Sequence, residues 1–219
     1  MTDPALWHIW QGRAAPLPTP NLDTDQIMPK QFLRGIDKSG LAAGVLYDLR
    51  HDGAGRLRPG FVLNQPAYQG VDMLLAGPNF GCGSSREHAV WGLRQYGIRA
   101  IVASSFGEIF YSNALGNGLL LAVVSEADAQ AFMRQAQTLS GPLPLTLDLR
   151  QRQVCSPGHT ACFQLSARHQ RMLLQGVDTL GLTLESLPAI RRFAGQHWQR
   201  APWLQDVAAR TRRRLHGKG

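Results

Sequence analysis

The residues best suited to chemistry lie between 77 and 88, in GPNFGCGSSREH. Two glycines, Gly81 and Gly83, precede two serines and an arginine, Ser84, Ser85 and Arg86. The preceding run, VDMLLAG, reads as a buried strand. The following run, REHAVWGLRQYG, carries Ala89, Val90, Leu93 and Tyr96 at helical spacing, with Gly97 as its stop. The segment is therefore expected at a strand-to-helix turn. The first amides of a helix have no partner within it and sit at the positive end of its dipole, so such a point attracts anions. Glycine lets the backbone approach a ligand closely. Arginine presents a planar fork of donors that matches a carboxylate. Together these groups suit a small carboxylic acid. The same residues also fit a helix cap, because Ser84 and Glu87 form the S-x-x-E capping pattern. The local pattern leaves both readings open. A dinucleotide loop fits poorly, since its third glycine would fall at Arg86. A phosphate loop lacks its lysine.

A second polar cluster, NLDTDQIMPK, holds Asp23, Thr24, Asp25 and Lys30. Its simplest reading is an Asx-type turn leading into a short helix. Residues 34–60 are rich in glycine and charge and read as an irregular surface loop, of the length often used for binding.

The elements that must position these groups follow from the apolar periodicity. LWHIWQGR reads as a strand entering the Pro-rich loop AAPLPTPN. IRAIVAS and LLLAVV read as further buried strands, with FGEIFYSNALGNG as a short helix between them. SEADAQAFMRQAQTL reads as a helix capped by Ser125, with Asp128 three residues on. LPLTLDLR alternates as a half-exposed strand, with ACFQLS as its expected antiparallel partner. ARHQRMLLQG and LTLESLPAIRRFAGQHW read as helices. The alternation of strand and helix predicts an α/β sheet with helices packed on it.

Composition excludes several classes. The chain has 219 residues, a formal charge of +8 and only 17% charged residues, against roughly 25% in ordinary domains, so it is neither disordered nor fibrous. Residues 1–190 hold 15 basic and 14 acidic side chains, whereas 191–219 hold eight basic ones and only Asp206. The body is near neutral, so the charge is a feature of the C-terminal end. Nucleic-acid binding is not expected, because no aromatic-basic interleaving or recognition motif accompanies that end. The expected organisation is one domain over 1–200 and a basic, frayed tail over 201–219. The start, MTDPALWHIWQGR, lacks the layout of a signal peptide, and no apolar run approaches the roughly 18 residues of a membrane helix. A cytoplasmic location with no membrane contact is expected.

Four ordered motifs resemble a known family. GPNFGCGSSREHAVWGL is similar to the signature of the small subunits of 3-isopropylmalate dehydratase, in the aconitase superfamily. NLDTDQIMPKQFL, SFGEIFYSNALGNGLL and VDTLGLTL resemble that family's other motifs, and together they cover roughly residues 5–200. The resemblance implies a swivelling β/β/α domain, as in the mobile last domain of aconitase. It implies a hydro-lyase active only with a large subunit. That enzyme interconverts 2-isopropylmalate and 3-isopropylmalate, in leucine synthesis, by loss and return of water. Ser84 is then the candidate base, Ser85 and Arg86 substrate contacts, and Thr24 and Asp25 residues of the active cleft. Glu87 and His88 are expected to brace the helix start. Within 34–58, Leu46, Tyr47 and Leu49 suit an isopropyl group and Arg50 and His51 an extra carboxylate, so citramalate, homocitrate or a maleate-type acid is the alternative substrate. The family's [4Fe–4S] cluster takes three cysteine ligands. Cys82, Cys155 and Cys162 form no C-x-x-C, so the cluster is expected on the large subunit, with Cys82 a packing residue. Val90, Leu121-Ala122 and Ser166 depart from the usual family residues, none of them within GSSREH.

Overall fold

Strand β1 (Ile9–Leu17) turns alternate residues to opposite faces, and its buried residues, Ala14, Ala15 and Leu17, all lie in its second half. It forms the middle of a seven-stranded sheet. On one side lie β2 (Met73–Ala76), β3 (Ala100–Ala103) and β4 (Leu120–Val123), all parallel to it in sequence. On the other lie β5 (Leu143–Asp148), β6 (Gln153–Ser156) and β7 (His159–Cys162), successively antiparallel. The spatial order is β4-β3-β2-β1-β5-β6-β7. This is a computed structural model, and it describes residues 8–33, 39–84 and 86–216.

Two readings of the strands need correction. The Pro-rich stretch is not a loop at its start: β1 runs through Ala14, Ala15 and Pro16. Pairing with β5 ends at Ala14↔Leu143, so β1 has a neighbour on one side only where Pro16 lies, and a residue without an N–H is tolerated there. The partner of β7 is β6 rather than β5, because a tight turn at Gly158 (φ 79°) closes that hairpin directly.

Both faces of the sheet are covered, which accounts for the unbroken apolar runs of the parallel strands. Ala15, Leu17, Leu74, Ile101 and Leu121 pack with Ala89, Val90 and Leu93 of helix α3 (Glu87–Tyr96) and with Ile27 of α1 (Thr24–Ile27). The opposite face packs Met73, Val102 and Leu120 with Phe132 of α5 (Glu126–Thr138), and the inward leucines of β5 join it. Helix α4 (Glu108–Gly116) links β3 to β4. Ser125 caps α5 by accepting from the Asp128 amide at 3.1 Å, and Gly97 ends α3 in the left-handed region, both as expected. The sheet curls until its ends meet: the Gln164 amide donates to the Val123 carbonyl at 2.8 Å. The described part of the region read as an irregular loop, 34–60, contains the helical turn α2 (Tyr47–Arg50) and a 3₁₀ turn at Leu41–Gly44, and further 3₁₀ turns follow at Val62–Asn64 and Pro66–Tyr68.

The chain divides into two compact units, Met1–Asp178 and Thr179–Gly219. The first ends with α6 (Ala167–Gln175), capped by Ser166. The second consists of α7 (Thr179–Glu185), α8 (Leu187–Arg200), a 3₁₀ turn at Pro202–Leu204, and α9 (Val207–His216). The single helix expected over 182–198 is broken at Ser186, because Pro188 cannot continue a helix but fits the first turn of a new one. The end of the chain is helical through His216 rather than frayed, with every described residue of α9 exposed.

Candidate active site

The turn after β2 lies between two other loops. On one side the Asn21 amide donates to the Pro78 carbonyl (2.9 Å), Gly81 to Leu22 (2.7 Å) and Thr24 to Cys82 (2.9 Å). On the other, Phe80 donates to Ser105 (3.3 Å) and Gly107 to Phe80 (3.0 Å). These rungs continue the β1–β2–β3 order beyond the strands. They bring NLDTDQ, NFGCGSSR and SFGEIF, three motifs far apart in sequence, side by side. Glycine is required at two points. Gly81 has φ +74°, and a Cβ there would enter the Phe110 ring. A Cβ on Gly107 would strike the Gly81 carbonyl.

Capping falls on a different residue from the one the S-x-x-E pattern suggests. Helix α3 begins at Glu87, its preceding residue is Arg86, and no side chain among the described residues caps it. The capping box forms at α1 instead. There Asp23 accepts from the Gln26 amide (2.7 Å) and Gln26 Oε1 accepts from the Asp23 amide (3.0 Å). That agrees with the Asx-turn reading of NLDTDQ. It also leaves Ser84 Oγ free of the helix.

Ser84 is held by Thr24 instead. Thr24 is 1% exposed, and its Oγ1 donates to the Ser84 carbonyl at 2.9 Å. The two hydroxyls are 3.2 Å apart. Either hydroxyl can donate in their contact, and Ser84 Oγ keeps lone pairs outside it. Ser84 is an exposed residue, so those lone pairs are open to a ligand. Beside it, Arg86 Nη1 is buried from solvent. It is ion-paired with Asp25 Oδ1 and makes no hydrogen bond among the described residues. The Arg86 side chain is 19% exposed and that of Asp25 48%, so the pair opens on the carboxylate side. Ser85 lies outside the described residues. Ser84, Arg86, Thr24 and Asp25 are thus brought together.

Glu87 accepts from Asn117 Nδ2 at 2.7 Å, and Trp91 Nε1 donates to Asn117 Oδ1 at 3.0 Å. The ring of His88 leans on Trp91 at 4.7 Å. Both residues brace α3, as expected. Sequence reasoning missed Asn117, Asn79 and Ser105. Asn117 ties α3 to α4, and Ser105 Oγ accepts from the Asn79 amide at 2.8 Å. The signal available was the asparagine preceding Phe80-Gly81, since Asn tolerates the left-handed φ of 58° found at Asn79.

The loop over 39–60 is more internal than its polarity suggests. Leu46 is fully buried and its amide donates to Ile27. Arg50 is occupied by the Val45 carbonyl (3.2 Å), Asn64 Oδ1 (3.2 Å) and the Tyr96 ring (5.0 Å). His51 stacks on Tyr47 at 4.0 Å. Burial of Leu46 and the internal bonds of Arg50 remove both from the set of groups free to meet a ligand. Lys30 is exposed on a 3₁₀ turn, Lys30–Phe32.

Cys82 donates to the Asn21 carbonyl at 3.4 Å, while Cys155 and Cys162 lie on β6 and β7. No cluster of three metal-ligating side chains occurs among the described residues. No helix among them is long and apolar enough to cross a membrane.

Residues 5–127 match the aconitase C-terminal domain family. The chain is 56% identical over 205 residues to 3-isopropylmalate dehydratase small subunit 1 of Chromobacterium violaceum, covering 94% of this chain and 96% of that protein. It is 45% identical over 197 residues to the 3-isopropylmalate dehydratase small subunit of Phenylobacterium zucineum, covering 90% and 96%. A crystal structure of 3-isopropylmalate dehydratase from Methanocaldococcus jannaschii superposes with a TM-score of 0.61 at 27% identity. It covers 84% of this chain and 99% of that one.

Proposed function

We propose, from the premise that this chain belongs to the aconitase C-terminal domain family, that it is the small subunit of a 3-isopropylmalate dehydratase. In this reading it serves a heteromeric hydro-lyase that interconverts 2-isopropylmalate and 3-isopropylmalate in leucine biosynthesis. Its setting is a cytoplasmic complex with a large subunit. The observation that carries the catalytic part is the placement of Ser84 Oγ, held by Thr24, clear of the helix cap and beside the Arg86–Asp25 pair.

In this mechanism Arg86 receives a substrate carboxylate on its guanidinium, with Asp25 fixing the plane of the fork. Ser85 adds a hydroxyl contact. Ser84 Oγ, as its alkoxide, takes the proton from the carbon next to the carboxylate; the C–O bond at the neighbouring carbon breaks with its electron pair leaving on the hydroxyl, so that the proton held by Ser84 and the departing hydroxide together make up the water lost, and an alkene forms. Return of the proton to the other carbon, with water adding in the opposite sense, completes the isomerisation. A serine oxygen serves as base only when its anion is stabilised. The unpaired amides at the start of α3 and the Arg86 charge supply that field.

The cysteines of this chain do not fit an iron–sulfur cluster, because they form no C-x-x-C and no group of three metal-ligating side chains occurs among the described residues. The cluster of the family is assigned to the large subunit, and no step above passes through it. The test is anaerobic mixing with a cluster-bearing large subunit and 2-isopropylmalate, followed by alkene absorbance. Ser84→Ala is expected to lose on the order of 10²–10⁴-fold in kcat, the range for one acid–base group. Full activity in that variant overturns the assignment of the base.

A further inference from the structure

The apolar surface of this chain is concentrated in the unit Thr179–Gly219. Of thirteen large hydrophobic side chains left exposed among the described residues, nine lie there, including Leu184, Ile190, Phe193, Trp203 and Leu215. Phe193, Trp203 and Leu215 are exposed at 68%, 64% and 69%. The nine leave on the order of 900 Å² accessible, at roughly 150–250 Å² for a large side chain. A standard interface takes about 800 Å² from each partner. On α8, Leu187, Ile190, Ala194 and Trp198 recur at helical spacing with Phe193 beside them, so the helix has a continuous apolar stripe. The same unit carries eight basic residues against Glu185 and Asp206, whereas 1–178 are nearly balanced.

We propose that Thr179–Gly219 is a docking arm for the large subunit, and that it seats on an apolar surface rimmed by acidic side chains. The proposal rests on the small-subunit reading above, which supplies an obligate protein partner. Charge alone would also suit a polyanion. Two tryptophans, a phenylalanine and several leucines would then stay in water, whereas a protein surface covers them and places carboxylates opposite the arginines. Aromatic and arginine side chains are also the types enriched at the centre of protein interfaces.

The experiment is a titration of the full-length chain into purified large subunit at near-physiological salt, read as association and as isopropylmalate dehydration. Phe193→Ser with Trp203→Ser is expected to weaken association at least tenfold, on the scale of a lost interface anchor. Arg213→Glu with Arg214→Glu is expected to weaken it severalfold, and the loss should shrink as salt is raised. Because these side chains are exposed, the helical circular dichroism should not change, and kcat at saturating small subunit should equal that of the unaltered chain. Association equal to wild type in both pairs overturns the docking arm. So does association equal to wild type with lost retention on polynucleotide or on anionic vesicles. If the unaltered chain associates but gives no alkene from isopropylmalate, the functional reading fails while the arm stands.

Discussion

Replacing Thr24 by valine removes one hydroxyl from a buried site and almost nothing else. That hydroxyl donates to the Ser84 carbonyl at 2.9 Å and shares a hydrogen bond with Ser84 Oγ across 3.2 Å. The cost in stability should be small. The Ser84 carbonyl keeps the Arg86 amide at 2.8 Å, so no buried acceptor is orphaned, and the loss is about 1 kcal/mol for one neutral hydrogen bond. The cost in rate should be larger. Ser84 Oγ loses its only described side-chain restraint, and a misplacement of about 1 Å in a reacting group costs about 10²-fold. With the large subunit present, kcat should therefore fall about 10²-fold, or about 2.7 kcal/mol in barrier. KM for isopropylmalate and subunit affinity should hold, because Arg86 and Asp25 are untouched. Thr24→Ser restores the hydroxyl and should recover most of kcat. The assay is steady-state alkene formation beside a urea unfolding curve. A Thr24→Val protein with wild-type kcat, when Ser84→Ala is inactive, refutes the positioning argument. A fall in kcat matched by an equal fall in the unfolding midpoint and in association would reduce Thr24 to a packing residue.

Arg86→Lys should raise KM about tenfold with kcat changed far less, since a point charge cannot replace the fork paired with Asp25; an unchanged KM counts against carboxylate binding there. Gly81→Ala should destabilise by about 2–4 kcal/mol, from the left-handed φ of +74° and the crowding on Phe110. Part of that loss should return when Phe110 is also cut to leucine, which denaturant midpoints will show. Burial first, and Arg168 second, hold His169 below the ordinary 6.5 in the folded chain. The folded state therefore favours neutral imidazole and the unfolded chain takes the proton first. Stability is full above about 6.5 and is lost as pH falls from there toward the folded value. His169→Gln should flatten that decline in midpoints measured between about pH 5 and pH 8, and an unchanged slope removes His169 as its source.

The parallel half of the fold was readable because its strands are buried on both faces. MLLA, AIVA and LLAV stand out as apolar runs bounded by turns. Ser125 and Gly97 marked helix ends through their own local chemistry. What local patterns misjudged was set by distant neighbours. Pro16 fits a strand only because the partner β5 stops at Ala14. Ser84 and Glu87 spell a capping box, yet Thr24, 60 residues earlier, takes the serine. Arg50 and Leu46 looked like ligand-facing groups of a polar loop, but Tyr96, Asn64 and Ile27 draw them inward. The site was legible as a set of motifs. Their adjacency, and the pairing of Arg86 with Asp25, depend on rungs between chain segments that no spacing rule encodes.

The central place of β1 has a consequence in time. Its antiparallel partner begins 129 residues later, from Ala14 to Leu143. At roughly 5–20 residues per second, a ribosome leaves that edge of β1 unpaired for about 6–26 s after it is made. An unpaired strand edge is a template for the wrong partner. Arg13 and Pro16 lie in this strand, a charge and a missing donor of the kind that discourage such pairing. The nascent chain therefore carries its own protection through the interval before β5 arrives to close the sheet.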